Sequence, residues 1–566
     1  MSMLLEVKLE STGNWGTGGN GLITVKNIGP IPIFNWVIPM KTSNFTITQF
    51  WTFVLGSRDT EITVTPPSWS TTLNAGQSIQ SGFAYNGSGN FMVTSSDKNI
   101  KFVLPNAGGT TPTTPPLTSA KKVFGYFSEW NIYQRMYNVE NIPVNQLTHI
   151  LYAFMLPNPN QTDYNILASN MAFPPKPYTA PPTVPEGTLV SQDAYANGIN
   201  IAKLKTLKAQ NPNIKILISV GGWTMSWNLS KIVANPTLKA TFVKSSVDFV
   251  VNNGFDGLDM DWEYPGVQGA GYNYVDAVND TPNLINLFKD LRTEFNARTP
   301  TKHYELTAAM GCNPDVIKNY IGVAPHLDYV TLMTYDFAGS WGDGGHLAGL
   351  YYNPKSGMDP EWNADAAVKN AINIGFTVDK ICLGCPLYAR GWAKIVPNDA
   401  ATPLFGKSVS GPATSYSGAA GEPGMTSWKD LRDKVNVNGL NRYYDNVAHA
   451  CYVHNSTTGE TWSYDDPEII TEKASYVKDK KLAGMMFWEL SDDTRDGVKN
   501  LLTAAVTTLN TDTTIPPPTQ PPTQPPSQPP TQPPTTPTTS GLTIQITNKS
   551  TSDYTIKSGQ TVLFNV

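Results

Sequence analysis

Between two proline-rich tracts the chain repeats one pattern eight times: a short apolar run, then a longer stretch with helical spacing. The runs are "KVFGYF", "HILYAFM", "IKILISVGG", "GFDGLDMDW", "YELTAAM", "LDYVTLMTYD", "KICLGCPLY" and "LAGMMFWEL". Short apolar strands separated by helices are what a parallel sheet buried on both faces requires. Eight such units over residues 121–510 predict a closed (β/α)8 barrel of the TIM type. The rival architecture is a doubly wound open sheet. Its dinucleotide-binding version needs a glycine fingerprint after an early strand, and none is present. The connection from the seventh run to the eighth, about residues 393–481, is too long for a barrel crossover and predicts an inserted α+β subdomain.

The flanking tracts, "GGTTPTTPPLTS" and "PPPTQPPTQPPSQPPTQPPTTPTT", mark linkers over residues 106–120 and 511–540. Such proline density favours an extended spacer with roughly 3 Å of reach per residue. The regular Pro-Pro-Thr-Gln repeat reads as a tether between domains rather than as a ligand for a signalling domain. Residues 1–105 are rich in Thr, Val, Ile, Gly and Asn, with alternating runs such as "GLITVKN" and "TEITVTPP", and predict an all-β sandwich module. Residues 541–566 are expected to form a short β segment, too small for a core of its own, as an incomplete module would be.

The fourth run and its flank read "FDGLDMDWEYP", which crowds Asp256, Asp259, Asp261 and Glu263 into an apolar segment. Burying one charge is costly, and each negative charge raises the cost of the next. On a strand, Asp259, Asp261 and Glu263 share one face while Leu258, Met260 and Trp262 line the other. A calcium loop also opens with acids at alternate positions. It requires glycine at its sixth position and glutamate at its twelfth, which Trp262, Tyr264 and Pro265 do not fit.

Catalytic groups of such a barrel stand at the carboxyl ends of its strands, where Glu263 falls. A carboxyl beside two others is expected to hold its proton at neutral pH, as a general acid must. Asp259 and Asp261 are expected to share another proton, so that the trio titrates as a coupled set. Asp256 is expected to be structural. A glycosidase ordinarily uses a second carboxylate as nucleophile or base. The nearest, Asp261, lies two residues away on the same strand, so no opposed nucleophile is evident.

A formal net charge of -5 over 566 residues, with no basic cluster, argues against nucleic acid as a partner. The 14 Trp and 25 Tyr suit stacking on flat apolar faces such as sugar rings. Cys382 and Cys385 have C-x-x-C spacing, but in a strand positions three apart face opposite ways. They are expected to be buried thiols rather than a metal or redox pair, and with Cys312 and Cys451 they are too few to staple a chain this long. The six histidines show no H-E-x-x-H, so neither metal nor cofactor is expected. No stretch approaches about twenty uninterrupted apolar residues, so no membrane span is expected. The amino terminus, "MSMLLEVKLESTG", lacks the pattern of a secretory leader.

"DGLDMDWEYP" resembles the D-x-x-D-x-D-x-E signature of the family-18 glycoside hydrolases, the chitinases. "ISVGG", "MTYDF", "PLYARGW" and "MMFWEL" resemble that family's third, sixth, seventh and eighth strands, in order, over Lys121 to Asn510. The resemblance implies hydrolysis of β-1,4 linkages in N-acetylglucosamine polymers with retention, the substrate's acetamido oxygen attacking the anomeric carbon. Glu263 would protonate the leaving oxygen and then activate water. Asp261 would orient the acetamido group, Tyr335 would hydrogen-bond its carbonyl, and Asp259 would tune Asp261 with Ser219 and Tyr126 as partners.

Trp488, Trp223, Phe154, Tyr388 and Trp130 are candidate sugar-stacking groups, with Trp488 matching the family's subsite floor. A core role competes for the other four. Met333, Asp336 and Arg390 match the cleft wall, although Arg390 equally fits an ion pair at the barrel rim. The pieces "GEPGMTSWKDL" and "WSYDDP" resemble the insertion of the family's deep-cleft subgroup, which implies a walled groove and long-chain substrates.

Residues 1–105 have their own resemblance. "GNWGTGGNGLITVKNIG", "FNWVIPM", "ITQFW" and "PPSWSTTLNAGQSIQSGF" resemble family-2 carbohydrate-binding modules. Trp15, Trp51 and Trp69 match that family's exposed aromatic row and Trp36 its core tryptophan, while the family's common terminal cysteine pair is absent. The expected whole is a monomeric chitinase held on its polymer by a tethered module, which raises effective concentration. The alternatives are a chitin-binding lectin without turnover and an endo-acting N-acetylglucosaminidase on N-linked glycans. Action outside the cell is expected, reached by host lysis or an unconventional export route.

Overall fold

A computed structural model describes residues 5–511, apart from residues 15–16, 29–32, 35, 44, 59–60, 68–70, 75–76, 88–92, 95–99, 104–115, 171–182, 419–420, 496 and 498. The segment 541–566, most of both linkers, and Trp15 and Trp69 lie outside the described residues.

All eight apolar runs form strands of one closed parallel barrel. They are β1 (Lys122–Ser128), β2 (His149–Pro157), β3 (Lys215–Gly221), β4 (Gly257–Asp261), β5 (Glu305–Gly311), β6 (Tyr329–Met333), β7 (Ile381–Pro386) and β8 (Gly484–Trp488). Each pairs with its neighbour in parallel, and β8 returns to β1. Closure leaves this sheet no unpaired edge except where Leu189–Ser191 adds an antiparallel strand beside the upper part of β2.

Alternation along β4 decides what the site contains. Leu258 and Met260, with Trp262 just beyond, point outward into the apolar layer beneath the helices. Each is fully buried, contributing about 1.5–3 kcal/mol, and this face holds the strand while Asp259 and Asp261 are turned into the barrel. The preceding helix, Pro236–Asn253, is fixed at its start by Asn235, whose side chain accepts from Thr237 N and Leu238 N, with proline at the first helical position.

The structure ends β4 at Asp261, so Glu263 lies two residues past the strand rather than on it. The cause is the neighbouring strand. β3 is paired with β4 only as far as Gly221↔Asp261, and there the chain turns through Gly221 (φ 108°) and Gly222 (φ 76°) into a short helix. A Cβ on Gly221 would come within 2.1 Å of the Asp261 carbonyl oxygen, and one on Gly222 within 2.4 Å of the Phe154 ring. The "ISVGG" motif is therefore a turn that allows close approach on both sides.

After β7 the chain enters a five-stranded antiparallel sheet ordered Met425–Ser427, Tyr388–Trp392, Thr461–Tyr464, Ala450–Asn455 and Leu440–Asp445. The helix Pro467–Asp479 then returns to pack on β7, β8 and the last helix, Leu501–Asn510. Within this insertion Lys473 and Asp465 form a fully buried ion pair, and Asp445 accepts from His346 and Asn353 of the barrel loop after β6.

The amino-terminal module is a sandwich. One sheet runs Ile100–Val103, Leu5–Asn14, Gly18–Asn27, Ser78–Gly87, Phe45–Phe50, and the other Val93–Thr94, Ile38–Thr42, Glu61–Thr65, Val54–Arg58. Their inner faces share one core of Val7, Ile23, Phe83, Ile38, Met40 and Val64. Trp36 is buried in it, edge-on to Phe53 at 5.2 Å. All four cysteines are buried and free. Cys382 faces the barrel interior and Cys385 the outer layer. Among the described residues no helix is long and apolar enough to cross a membrane.

Candidate active site

Asp259 sits at the centre of the upper barrel with no exposed surface. Tyr126 of β1 and Ser219 of β3 donate to its Oδ2 at 2.9 and 2.7 Å, and Thr307 of β5 donates to Oδ1 at 2.6 Å. Burial raises this carboxyl, and the three hydroxyl donors act in the opposite direction because each favours the charged form.

Asp261, one pleat higher, is also buried, and its Oδ1 has no hydrogen-bond partner. Burial and then the charges of Glu263 and Asp259 hold it well above the ordinary carboxylate range. A buried acceptor left open is costly, so this oxygen is prepared for a donor that arrives with a ligand. Glu263 is 8% exposed. Burial pushes its pKa up to about 8, with the charge of Asp336 acting in the same direction and a hydrogen bond from Tyr264 opposing it. Glu263 therefore carries a proton at neutral pH.

The backbone beneath that acid is fixed from two sides. The N–H of Glu263 donates to Ser226 Oγ at 2.9 Å, and Asn273 Nδ2 donates to the Glu263 carbonyl at 2.8 Å. Ser226 itself donates to Gly222 O at 2.8 Å. Tyr335 stands above β6, edge-on to Tyr388, with its hydroxyl 3.7 Å from Met486 Sδ and burial raising it well above the ordinary phenol range. A thioether is a weak acceptor, so this O–H remains available to a stronger one.

The aromatic candidates divide into two groups. Trp488 stacks on Phe154 at 5.5 Å with 19° between the rings, meets Tyr126 edge-on at 5.0 Å, and Phe154 continues to Trp130 at 6.2 Å. Trp488 and Trp130 are partly open, whereas Phe154 and Tyr388 are buried. Buried rings offer no face to a sugar; Phe154 backs the Trp488 indole and Tyr388 backs Tyr335. Trp223 is 51% exposed and stands apart, edge-on to Tyr264. Met333 packs against the apolar cluster of the barrel interior.

Arg390 takes the ion-pair position. It binds Asp336 bidentately at 2.8 and 3.0 Å and Glu422 of the insertion at 2.8 Å, and its guanidinium lies 5.2 Å from the rings of both Trp341 and Tyr388. Asp336 adopts φ 55°, a conformation that asparagine and aspartate tolerate better than most residues. Trp341, 62% exposed, was not singled out from the sequence, nor were Thr307, Ser226, Asn273 and Glu422. The "GSWG" surround of Trp341, an indole among small residues, was the available signal. Thr307 and Glu422 lie in the quoted runs "YELTAAM" and "GEPGMTSWKDL", but as single polar residues they, like Ser226 and Asn273, carry no pattern of their own. Asp256 lies at the opposite end of the barrel, bonded to Lys208 at 2.8 Å and to Ile216 N at 2.9 Å. Among the described residues no three His, Cys, Asp or Glu side chains gather as metal ligands.

Residues 122–493 match the family described as Glycosyl hydrolases family 18, and residues 5–100 match Cellulose binding domain. Chitinase A1 of Niallia circulans is 33% identical over 442 residues, a match covering 72% of this chain and 61% of that protein. Chitinase 1 of Aphanocladium album is 32% identical over 390 residues, covering 65% of this chain and 80% of its own length. Among solved structures, chitinase ChiA74 from Bacillus thuringiensis superposes with a TM-score of 0.58 at 33% identity, over 69% of each chain. With the signature acids at the mouth of a closed parallel barrel and a β-sandwich ahead of it, this chain belongs to glycoside hydrolase family 18.

Proposed function

We propose that the protein is a chitinase that cleaves β-1,4 linkages between N-acetylglucosamine units with retention, using the substrate's acetamido oxygen in place of an enzymic nucleophile. The observation that carries this reading is the open, buried Oδ1 of Asp261, with Asp259 holding three hydroxyl donors on one side of it along the chain and a protonated Glu263 on the other. An acetamido N–H is the donor that such an oxygen lacks.

Glu263 gives its proton to the glycosidic oxygen as the bond from that oxygen to the anomeric carbon breaks. The acetamido carbonyl oxygen bonds to the same carbon, forming an oxazolinium ion whose N–H points at Asp261; that developing positive charge favours the ionised form of Asp261, which in turn offsets it. Tyr335 donates to the acetamido oxygen and holds it in line. In the second half Glu263, now ionised, takes a proton from water as the water oxygen adds to the anomeric carbon and the ring reopens. Trp488, backed by Phe154, is the floor for the reacting sugar, and Trp130, Trp223 and Trp341 extend the stacking surface. Met333, Asp336, Tyr388 and Arg390 shape the wall. The relatives named above carry chitinase in their names, consistent with this substrate.

The amino-terminal module holds insoluble polysaccharide through Trp51, and the tether keeps the barrel at high local concentration on it. The reading places the action outside cells, where such polymers lie, and needs no second copy of the chain. A proton-bearing Glu263 favours turnover over a lectin role. The test is hydrolysis of N-acetylglucosamine oligomers by the wild type and by Glu263→Gln, beside fully deacetylated oligomers. Turnover of the acetylated series only, lost in the variant, is expected; equal turnover of the deacetylated series would sink the mechanism.

A further inference from the structure

Of the three signature acids, Asp259 is the one whose acceptors the protein itself occupies. Tyr126 and Ser219 share Oδ2, and Oδ1 belongs to Thr307. Thr307 and Asp259 are direct neighbours in the β4–β5 register, and neither has exposed surface, so the contact is set by the barrel wall and not by a loop. Among the described residues no Lys, Arg or His forms an ion pair with Asp259. The titratable groups around it are Tyr126 from β1, Asp261 and then Glu263 along its own segment, and Tyr320 from the turn after β5, whose hydroxyl faces the carbonyls of Ala309 and Trp262.

Two carboxyl groups neighbouring on one pleated face tend to share a proton, because two negative charges there repel. A proton on Asp259 would make it a donor to the open Oδ1 of Asp261, and Asp261 would then turn down into the barrel, away from Glu263 and the substrate amide. An O–H already donating to Oδ1 of Asp259 works against that, because it favours the charged carboxylate.

We propose that Thr307 is a positioning residue for the reaction: its hydroxyl keeps Asp259 an acceptor only, and so leaves Asp261 directed at Glu263 and the substrate. This inference rests on the hydrolase reading given above. Thr307 touches no substrate; it acts through Asp259 on Asp261.

The experiment is the pH profile of kcat on a soluble N-acetylglucosamine oligomer for the full chain and its Thr307→Val and Thr307→Ser variants. Valine matches threonine in shape and removes the donor. For Thr307→Val, kcat is expected to fall about ten-fold with KM little changed. Its acidic limb is expected to move to higher pH, because Asp259 then takes up a proton earlier on acidification. Thr307→Ser is expected to restore both. Thr307→Ala keeps the comparison open if the valine variant does not fold. Coincident profiles for valine and wild type, or equal losses in the valine and serine variants, would overturn the role of Thr307 and leave the hydrolase reading intact. Absence of wild-type turnover would remove the hydrolase reading itself.

Discussion

Ser226 Oγ accepts the backbone N–H of Glu263 at 2.9 Å while donating to the Gly222 carbonyl at 2.8 Å, and so ties the acid's backbone to the turn that ends β3. Glu263 has left the strand ladder by this point, and the serine supplies the partner that a neighbouring strand would otherwise provide. Ser226→Ala leaves a buried N–H unpaired, which costs about 1–3 kcal/mol, and frees the donor to shift. We expect kcat on soluble oligomers to fall about ten-fold or more with a smaller change in KM, measured by steady-state kinetics beside a thermal melt.

Asp336 is expected to contribute to where activity fails on the alkaline side. Burial pushes Glu263 up to about 8 with the Asp336 charge assisting, so the acid is protonated below that value and lost above it. Asp336→Asn removes a negative charge and leaves Arg390 with Glu422 as its remaining carboxylate partner, so less of its positive charge is offset near the acid, and both changes favour ionised Glu263. The alkaline limb of kcat/KM is expected to move to lower pH by about one unit. An unmoved limb would show that the wall charge is not felt at the acid.

The same carboxyl weakens the fold at alkaline pH. Its folded value of about 8 lies above the ordinary value of 4.5, so the native state holds the proton over that interval and stability falls as pH rises through it. Glu263→Gln keeps the shape without the charge. We expect it to be more stable than wild type at pH 9 by on the order of 2 kcal/mol, and by much less at pH 5. Denaturant melts at the two pH values measure this, and an equal difference at both would contradict it.

On the module, Trp51 is 52% exposed and its indole lies on Gly82, where a Cβ would meet the ring at 1.8 Å. The missing side chain is what lets the indole lie flat against the strand Ser78–Gly87. Trp51→Ala should weaken binding to insoluble chitin or cellulose by about ten-fold. Gly82→Val, which keeps the indole but tilts it, should act in the same direction. Depletion from suspension reads both.

Much of the fold was legible because it is local. Eight apolar runs announced eight strands, and the two-residue period of β4 turned Leu258 and Met260 outward and Asp259 and Asp261 inward before any partner was known. Tyr126 and Ser219, which the resemblance implied as partners of Asp259, donate to its Oδ2. For Phe154 and Tyr388 the sequence left a stacking and a core role open, and both lie buried; a strand pattern tells which side a ring takes and not whether another ring covers it.

By itself, then, the sequence determined the strand order, the facing of the acids and the presence of an insertion after the seventh strand, since these follow from spacing along the chain. Tertiary structure alone decided that Thr307 closes Asp259, that Ser226 and Asn273 clamp Glu263, and that Arg390 joins Asp336 to Glu422 across the cleft wall. Those partners come from separate strands and loops, and it is barrel closure and register that bring their hydrogen-bonding groups within 3 Å of one another.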